Sequence, residues 1–240
     1  MGRFSDIEWT EATWNPWHGC QKVSPGCAHC YMYRDKARYG QDPGKVMRGK
    51  TTFELPLKWR EPKLIFTCSW SDFFIADADP WRPEAWEIIR ATPHHSYQIL
   101  TKRPERVVEH LPKDWPLPNV WLGVSVENPR FYWRIDILRG IAAPVRFLSL
   151  EPLLTAMPKL PLRSISWVIV GGESGPHARP MSPEWVCDIR DQCVRASVPF
   201  FFKQWGGARK NITGRKLEGR VWDEMPERLS QVDFAIEAIS

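Results

Sequence analysis

Three cysteines lie close together near the start of the sequence. Cys20, Cys27 and Cys30 are separated by six and then two residues. Two intervening residues let a pair of thiolates reach one metal centre, and Pro25-Gly26 favours the turn that brings the remaining thiolate round. Structural zinc ions are nearly always bound by four protein ligands, whereas an iron–sulfur cluster held by three thiolates leaves one iron open for chemistry. The spacing therefore favours an open cluster, and His18 as a fourth ligand is the alternative that would close it.

Polar side chains follow several of the apolar runs in the sequence. Glu127, Glu151 and Glu173 each come straight after such a run, in the stretches SVE, SLEP and GGES. If these runs are parallel strands, their carboxyl ends meet at one edge and the three carboxylates converge there. One carboxylate alone at a strand end would more often be a helix cap or a surface charge. The other candidate site residues at strand ends are Cys68, Ser69, Ser71, Asp72, Lys102 and Ser125.

The elements that must position these residues alternate along the chain. Near-continuous apolar strands separated by amphipathic helices are typical of a parallel sheet covered by helices. We therefore predict an α/β fold, a partial or complete (β/α) barrel of about six to seven parallel strands with an N-terminal loop that carries the cysteines. No Gly-rich dinucleotide motif follows the first strand, so a doubly wound open sheet is the weaker alternative. The predicted strands span 7–16, 64–68, 97–101, 120–126, 145–150, 166–172 and 199–205, and the helices 31–40, 80–92, 103–111, 128–141 and 182–197.

Composition sets the class of protein. The chain has 240 residues, of which 43% are hydrophobic and 25% charged, as in a globular protein with one substantial core. We expect a barrel domain over 1–207 and a basic tail over 208–240. No apolar run approaches the length of a membrane span and the N-terminus lacks the apolar core of a signal peptide, so we expect a cytoplasmic protein with no membrane contact. In that compartment cysteines are thiols or metal ligands rather than disulfides.

The balance of charge points to a polyanionic partner. The net charge is +5, and the chain contains 14 tryptophans. Tryptophan beside arginine and lysine is what a base-stacking, phosphate-binding surface needs, although large apolar filler and a solvated charged face explain the same residues. The candidates for phosphate contact are Arg130, Arg134, Lys210, Arg215, Lys216 and Arg220.

Two levels of family resemblance follow from these motifs. Three clustered N-terminal cysteines before a series of strand–helix units resemble the radical S-adenosylmethionine (radical SAM) superfamily, whose usual spacing is three and then two residues. The strings TWNPWHGC, SPGCAHCY, GVSVE, SLEPLL and VGGESG more closely resemble a group of phage-associated three-cysteine-motif proteins. This second resemblance covers roughly Trp9 to Gly207 and implies no assigned activity.

The resemblance to radical SAM enzymes implies two cofactors. A 4Fe-4S cluster on the three cysteines would bind S-adenosyl-L-methionine and yield a deoxyadenosyl radical after electron transfer from a reductant such as flavodoxin or ferredoxin. Asp72, Ser69 or Ser71 would suit the cofactor's ammonium group. Lys102 or Arg103 would suit its carboxylate. Ser125 and Glu127 are candidates for its ribose, with Glu151 and Glu173 as further cofactor-binding candidates.

Two further residues take roles from related enzymes. His29 occupies the position where radical SAM enzymes often carry an aromatic residue against the adenine. Spore photoproduct lyase, a DNA-repair enzyme of that superfamily, uses a cysteine as hydrogen-atom donor. Cys68 is the candidate for that role here, although core burial is the favoured interpretation of this residue. Radical SAM enzymes also use a Gly-Gly-Glu turn on the second strand, but Gly171–Glu173 follow the sixth predicted strand, so that role is not transferred.

Three functions compete on these grounds. The leading hypothesis is a radical SAM-type iron–sulfur enzyme that modifies or repairs DNA or RNA. The second is a non-catalytic nucleic-acid-binding module stabilised by zinc on the three cysteines with His18 or His29. The third is a redox or electron-transfer cluster protein, which the three strand-end glutamates disfavour because an electron carrier needs no polar substrate cavity.

Overall fold

The fold is built on seven parallel strands that follow one another in chain order. The computed structural model describes residues 5–227. Its strands are β1 (Ala12–Trp14), β2 (Trp17–His18), β3 (Met47–Arg48), β4 (Leu64–Thr67), β5 (Ser96–Thr101), β6 (Val120–Ser125), β7 (Val145–Leu150), β8 (Trp167–Gly171), β9 (Phe200–Gln204), β10 (Lys216–Leu217) and β11 (Arg220–Val221). The main sheet has the order β1-β4-β5-β6-β7-β8-β9, and every neighbouring pair is parallel. This is the curled half-barrel of an α/β protein, so the prediction of a partial barrel is confirmed at that level.

Helices cover the outer face of the sheet. They are α1 (Tyr31–Arg38), α2 (Arg82–Ala91), α3 (Tyr132–Arg139), α4 (Pro183–Arg195) and α5 (Lys210–Thr213). Within residues 5–227 no helix combines the length and the apolar character that crossing a bilayer requires. The predicted helix over 103–111 is wrong, since Pro104–Arg106 and Val108–His110 form two separate 3-10 turns. The adjoining β-branched residues Val107 and Val108 have low helix propensity, and Pro112 prevents continuation.

Two apolar layers follow from the alternation of side chains along the strands. Val168, Val170 and Phe202 pack in the large core under the helices, whereas their neighbours in sequence point to the opposite, concave face. The concave cluster comprises Trp9, Leu64, Trp121, Val145, Phe147, Trp167, Ile169 and Phe201, with Phe66 and Leu100 partly buried against it. This aromatic cluster closes the floor of the half-barrel. Polar strand-end residues lie above it.

The strand β9 at one margin of the sheet is covered by the C-terminal segment, residues 214–224. The backbone N–H of Phe202 donates to the Trp222 carbonyl at 2.8 Å, and that of Trp205 to the Gly214 carbonyl at 3.2 Å. The backbone N–H of Phe200 donates to the Glu224 carboxylate at 3.0 Å. The segment therefore pairs a sheet edge that would otherwise carry free hydrogen-bonding groups. It belongs to the predicted tail over 208–240, of which residues 228–240 lie outside the described residues.

Candidate functional site

The loop between β1 and α1 carries all three clustered cysteines at the carboxyl edge of the sheet. Cys27 ends a 3-10 turn over Pro25–Cys27, and Cys30 is the residue before the first turn of α1. Gly19 has φ +99°, and a Cβ there would lie 2.2 Å from the carbonyl oxygen of Lys45, so the close approach requires glycine. The Cys20 N–H also donates to the Pro43 carbonyl at 3.0 Å. The connection between α1 and β3, which contains Pro43 and Lys45, thus supports the cysteine loop.

All three cysteines influence the pKa of one phenol, that of Tyr33. Burial, followed by Cys20, Cys27 and Cys30, raises the pKa of Tyr33 to about 12. The Tyr33 hydroxyl donates to the carbonyl of Cys20. Burial, with the Asp72 carboxylate, also raises the pKa of Cys20 to about 12. The three cysteines are free thiols, and each is partly exposed.

The side-chain positions bear on which metal centre the loop suits. Among the residues described, no group of three or more His, Cys, Asp or Glu is arranged to hold a metal ion. A zinc ion needs its ligand atoms about 2.0–2.3 Å from a single point. The side chains of residues 5–227 form no such point. In a four-iron cluster each thiolate binds a different iron, so the thiols do not have to meet at one point.

A buried ion pair holds the turn between Cys20 and Cys27. Glu127, which follows β6, is 0% exposed, and its Oε2 lies 3.0 Å from Nη1 of Arg134 in α3. Its Oε1 accepts a hydrogen bond from the backbone N–H of Gly26 at 3.3 Å. A Cβ at Gly26 would lie 3.1 Å from that carboxyl group, so glycine permits the approach. The predicted ribose contact of Glu127 has no exposed oxygen to make it, and the carboxylate contacts the cysteine loop instead.

A second carboxylate holds the same loop from β8. Glu173 Oε2 lies 2.9 Å from His29 Nδ1 and accepts from the backbone N–H and Nε of Arg179 at 3.0 Å each. Arg179 Nη2 in turn donates to the Pro25 carbonyl at 3.0 Å. Burial opposes ionisation of Glu173, but the hydrogen bonds from Arg179 and His29 outweigh it and lower its pKa to about 2. His29 therefore contacts a carboxylate where the resemblance implies an adenine.

The carboxylate of Asp72 joins the ends of β4 and β5. It is 5% exposed and accepts from the Phe74 N–H at 2.9 Å, from Thr101 Oγ1 at 2.8 Å and from the Lys102 N–H at 2.9 Å. Arg103 Nη1 lies 3.1 Å from Asp72 Oδ2. Arg103 Nη2 donates to the carbonyl of Gln21 in the cysteine loop at 2.9 Å. Asp72 is thus fully engaged by protein donors and does not present a free oxygen to an ammonium group.

The third strand-end glutamate faces the hollow of the half-barrel. Glu151 Oε1 lies 2.9 Å from Lys203 Nζ of β9, and the two side chains are 15% and 18% exposed. Ser149 Oγ donates to Glu151 Oε2 at 3.2 Å. The hydroxyl of Tyr31, the residue directly after Cys30 in the chain, donates to the Ser69 carbonyl at the same edge of the sheet. The three predicted glutamates therefore divide into two that hold the loop and one that remains open to the hollow.

The remaining predicted ligands are spread around the same edge. Ser69 Oγ accepts from Asn15 Nδ2 at 2.9 Å, and Ser71 Oγ donates to the Gly19 carbonyl at 2.6 Å. Ser125 is 2% exposed at the end of β6. Lys102 lies near enough to Cys30 to lower the pKa of that thiol, although burial raises it overall. Among the described residues, the Lys102 ammonium has no carboxylate partner within ion-pair distance.

Cys68 does not lie where the strand pattern places it. Alternation along β4 would put it on the concave face with Leu64 and Phe66, but it is 3% exposed and packs in the core under the helices. Its φ of 62° accounts for the change of face, because the left-handed turn reverses the direction of the chain. Burial raises the pKa of this thiol well above its usual value. Cys68 is therefore a buried core residue.

The residues predicted to contact phosphate differ in their exposure and position. Arg134 is 1% exposed and paired with Glu127, so it is closed to a phosphate. Arg130 and Lys216 are exposed, and Arg215 lies over the Phe201 ring with Cζ 5.0 Å from its centroid. Arg220 is stacked on Trp222 at 3.6 Å beside the start of β9, away from the cysteine loop. The side chain of Lys210 lies outside the part of the chain that the structure describes.

Several site residues escaped the sequence reasoning. Arg179 pairs with Glu173, six residues before it in the same connection, and Lys203, a polar residue near the end of its predicted strand, pairs with the distant Glu151. Tyr31 and Tyr33 follow Cys30 directly, so their position beside the cysteines was the one available signal. Arg134 was recognised as a cation, but its burial depends on the packing of α3 against β6.

The fold and site together define a class: an all-parallel half-barrel with a three-cysteine loop fixed to its strand ends by buried carboxylates. A family model described as "Protein of unknown function (DUF5131)" matches residues 4–226, and the chain belongs to that family. No curated protein and no solved structure matches the chain. The resemblances to radical SAM enzymes and to phage-associated proteins stay predictions.

Proposed function

We propose that this protein is an iron–sulfur enzyme of the radical SAM type that acts on nucleic acid. The observation that supports it is the set of three free thiols around Tyr33, at the carboxyl edge of a parallel half-barrel. In barrels of this kind the reactive residues lie at that edge. Cys20, Cys27 and Cys30 would hold a 4Fe-4S cluster. When bound, such a cluster supplies an electron that cleaves S-adenosyl-L-methionine to a deoxyadenosyl radical.

The chain's own groups would bind and orient the cofactor. Lys102, near Cys30 and without an ion-pair partner among the described residues, suits the cofactor's carboxylate. Glu127, Glu173 and Asp72 hold the loop and the strand ends in place. We assign the concave face that bears the Glu151–Lys203 pair to the substrate. A flavodoxin- or ferredoxin-like protein is the proposed reductant.

Nucleic acid is the proposed substrate because charge and surface favour it. The net charge is +5, and exposed Arg130 and Lys216 lie near the ends of β6 and β9. Cations at the rim of a site bind phosphates and position a strand without reading its sequence. Base modification and lesion repair both require a base to leave the stack and enter a pocket.

Anaerobic reconstitution with iron and sulfide tests the cofactor. We expect a brown protein containing close to four irons, which forms deoxyadenosine when S-adenosylmethionine and dithionite are added. Cys27→Ser should lose most of the iron and all of the deoxyadenosine. Cys187→Ser, on α4, is the matched control and should retain both. Zinc in a colourless protein, or an intact cluster that yields no deoxyadenosine, would contradict the proposal.

A further inference from the structure

The concave face presents an ion pair beside an apolar surface. Glu151 and Lys203 are 2.9 Å apart and mostly, but not fully, shielded from solvent. Phe66 and Leu100 are partly buried on the same face, against the aromatic floor. Gly171, whose Cβ would lie 2.7 Å from Glu151 Oε1, leaves room for the carboxylate to lie against β8. The ion pair at the ends of β7 and β9 and these apolar side chains of β4 and β5 thus line the same concave face.

The pair has hydrogen-bonding capacity to spare. Lys203 has three N–H donors, and the described contacts use one of them, for Glu151. The two carboxylate oxygens of Glu151 accept from Lys203 and Ser149, and each oxygen has a further acceptor position. Glu127 and Glu173, by contrast, are engaged by the cysteine loop. Among the strand-end glutamates, Glu151 is therefore the one whose oxygens can accept hydrogen bonds from a ligand.

The donor of Lys203 and the two acceptor oxygens of Glu151 can be compared with the hydrogen-bonding edges of the four bases. A base flipped out of a helix is read by hydrogen bonds to its Watson–Crick edge and by packing of its ring on aromatic or apolar side chains. Guanine presents one acceptor, O6, beside two adjacent donors, N1–H and N2–H. One ammonium and one two-oxygen carboxylate satisfy that edge, whereas the other bases lack two adjacent donors. We propose that Glu151 and Lys203 form a subsite that binds a single guanine base, with Glu151 accepting from N1–H and N2–H and Lys203 donating to O6.

The location at the carboxyl edge of the sheet gives the subsite its use. Tyr31 directly follows Cys30 and its hydroxyl donates to the Ser69 carbonyl beyond β4, while Glu151 follows β7 at the same edge. A base held by the pair would therefore lie at the edge that carries the cysteine loop. This part of the inference rests on the proposed function, because a reactive centre on the cysteines is what makes the proximity useful. The recognition of guanine does not depend on it and can be measured on metal-free protein.

Binding of short single strands tests the subsite. The probe is a fluorescein-labelled oligothymidine with guanine, adenine, cytosine or thymine at its central position, titrated with the full chain and followed by anisotropy. We expect the guanine strand to bind about tenfold more tightly than the others, the discrimination of one good bidentate contact. Glu151→Gln and the double variant E151Q/K203Q should bind all four strands alike. Glu84→Gln, in the exposed Arg48–Glu84 pair, is the control and should keep the preference.

The outcomes separate the subsite from the cofactor chemistry. Equal affinity of the unaltered protein for all four strands, or a guanine preference that survives in folded E151Q/K203Q, overturns the subsite. Circular dichroism and the unfolding midpoint establish that the variants are folded. If Glu151→Gln instead abolishes S-adenosylmethionine binding by reconstituted protein, the pair belongs to the cofactor and the inference fails. Absence of deoxyadenosine from unaltered protein would refute the proposed function and leave a measured guanine preference standing.

Discussion

At the scale of single residues, Glu173 links His29, Arg179 and, through Arg179, the Pro25 carbonyl. Its pKa of about 2, against an ordinary 4.5, means that the folded protein binds this proton less readily than the unfolded chain. Its stabilising contribution is therefore complete above pH 4.5 and is lost as the pH falls towards 2.

Replacing Glu173 should remove that pH dependence. We expect Glu173→Gln to lower the free energy of unfolding by about 3 kcal/mol at neutral pH, since one pKa unit corresponds to roughly 1.4 kcal/mol. The difference from the unaltered protein should shrink as the pH falls below 4.5. Urea unfolding followed by tryptophan fluorescence at several pH values measures it. A constant difference from pH 7 to pH 3 would show that the carboxylate's charge does not carry the effect.

The Glu127–Arg134 pair makes a separate prediction. Because both side chains are buried, Arg134→Met leaves an unpaired carboxylate and should destabilise the fold by about 3–5 kcal/mol. The double variant E127Q/R134M removes both charges and should recover a large part of that loss. Denaturant unfolding of the single and double variants gives the comparison. If the double variant is no more stable than Arg134→Met, the penalty does not come from the isolated charge.

Candidate site residues could be predicted where their spacing along the chain identifies them. The cysteine triplet and the three strand-end glutamates could be found from their positions after a loop and after apolar runs. Their different roles could not, because these depend on how the chain packs. Arg134 reaches Glu127 from α3, Arg179 folds back onto Glu173 within one connection, and Lys203 reaches Glu151 from β9. Cys68 was misplaced because a left-handed turn at that residue breaks the alternation of β4.

At the scale of elements, the C-terminal segment protects the edge of β9. A chain ending at residue 213 would leave the N–H groups of Phe200, Phe202 and Trp205 without their partners. We expect that chain to melt at a lower temperature and to self-associate, since an open edge pairs with other edges. A chain ending at residue 227 keeps every described contact and serves as the control. Size-exclusion chromatography and thermal unfolding report the difference, and two equally stable monomers would contradict it.

Element prediction succeeded where long patterns are consistent. The helix over 182–197 and the buried strands matched α4 and the sheet because Ser, Pro and apolar periodicity agree there. The region 103–111 failed because a run of nine residues is short enough for proline and two valines to decide its conformation. The pairing of 214–224 with β9 was beyond local reasoning, since a basic, glycine-containing stretch gives no sign of its partner.

At the scale of the whole molecule, parallel strands in chain order bring residues from position 15 to position 205 to one edge. If nucleic acid binds across that edge, its affinity should fall as salt rises, with a slope set by the number of phosphates contacted. Arg130→Gln with Lys216→Gln should make the slope shallower by about 1.4, or roughly 0.7 for each phosphate on a single strand. Arg220→Gln should leave it unchanged. Anisotropy titrations at several salt concentrations measure the slopes, and equal slopes for all three proteins would place the strand elsewhere.

The turn at residues 25–26 is fastened by protein groups alone: a carboxylate on its amide and a guanidinium on its carbonyl. We expect a turn held by these contacts to keep its shape in the proposed enzyme when no iron is bound. Maturation would then occur in two independent stages, with the completed chain waiting for its inorganic component and able to lose and regain it. In zinc fingers the metal drives folding, whereas here folding would prepare for the metal.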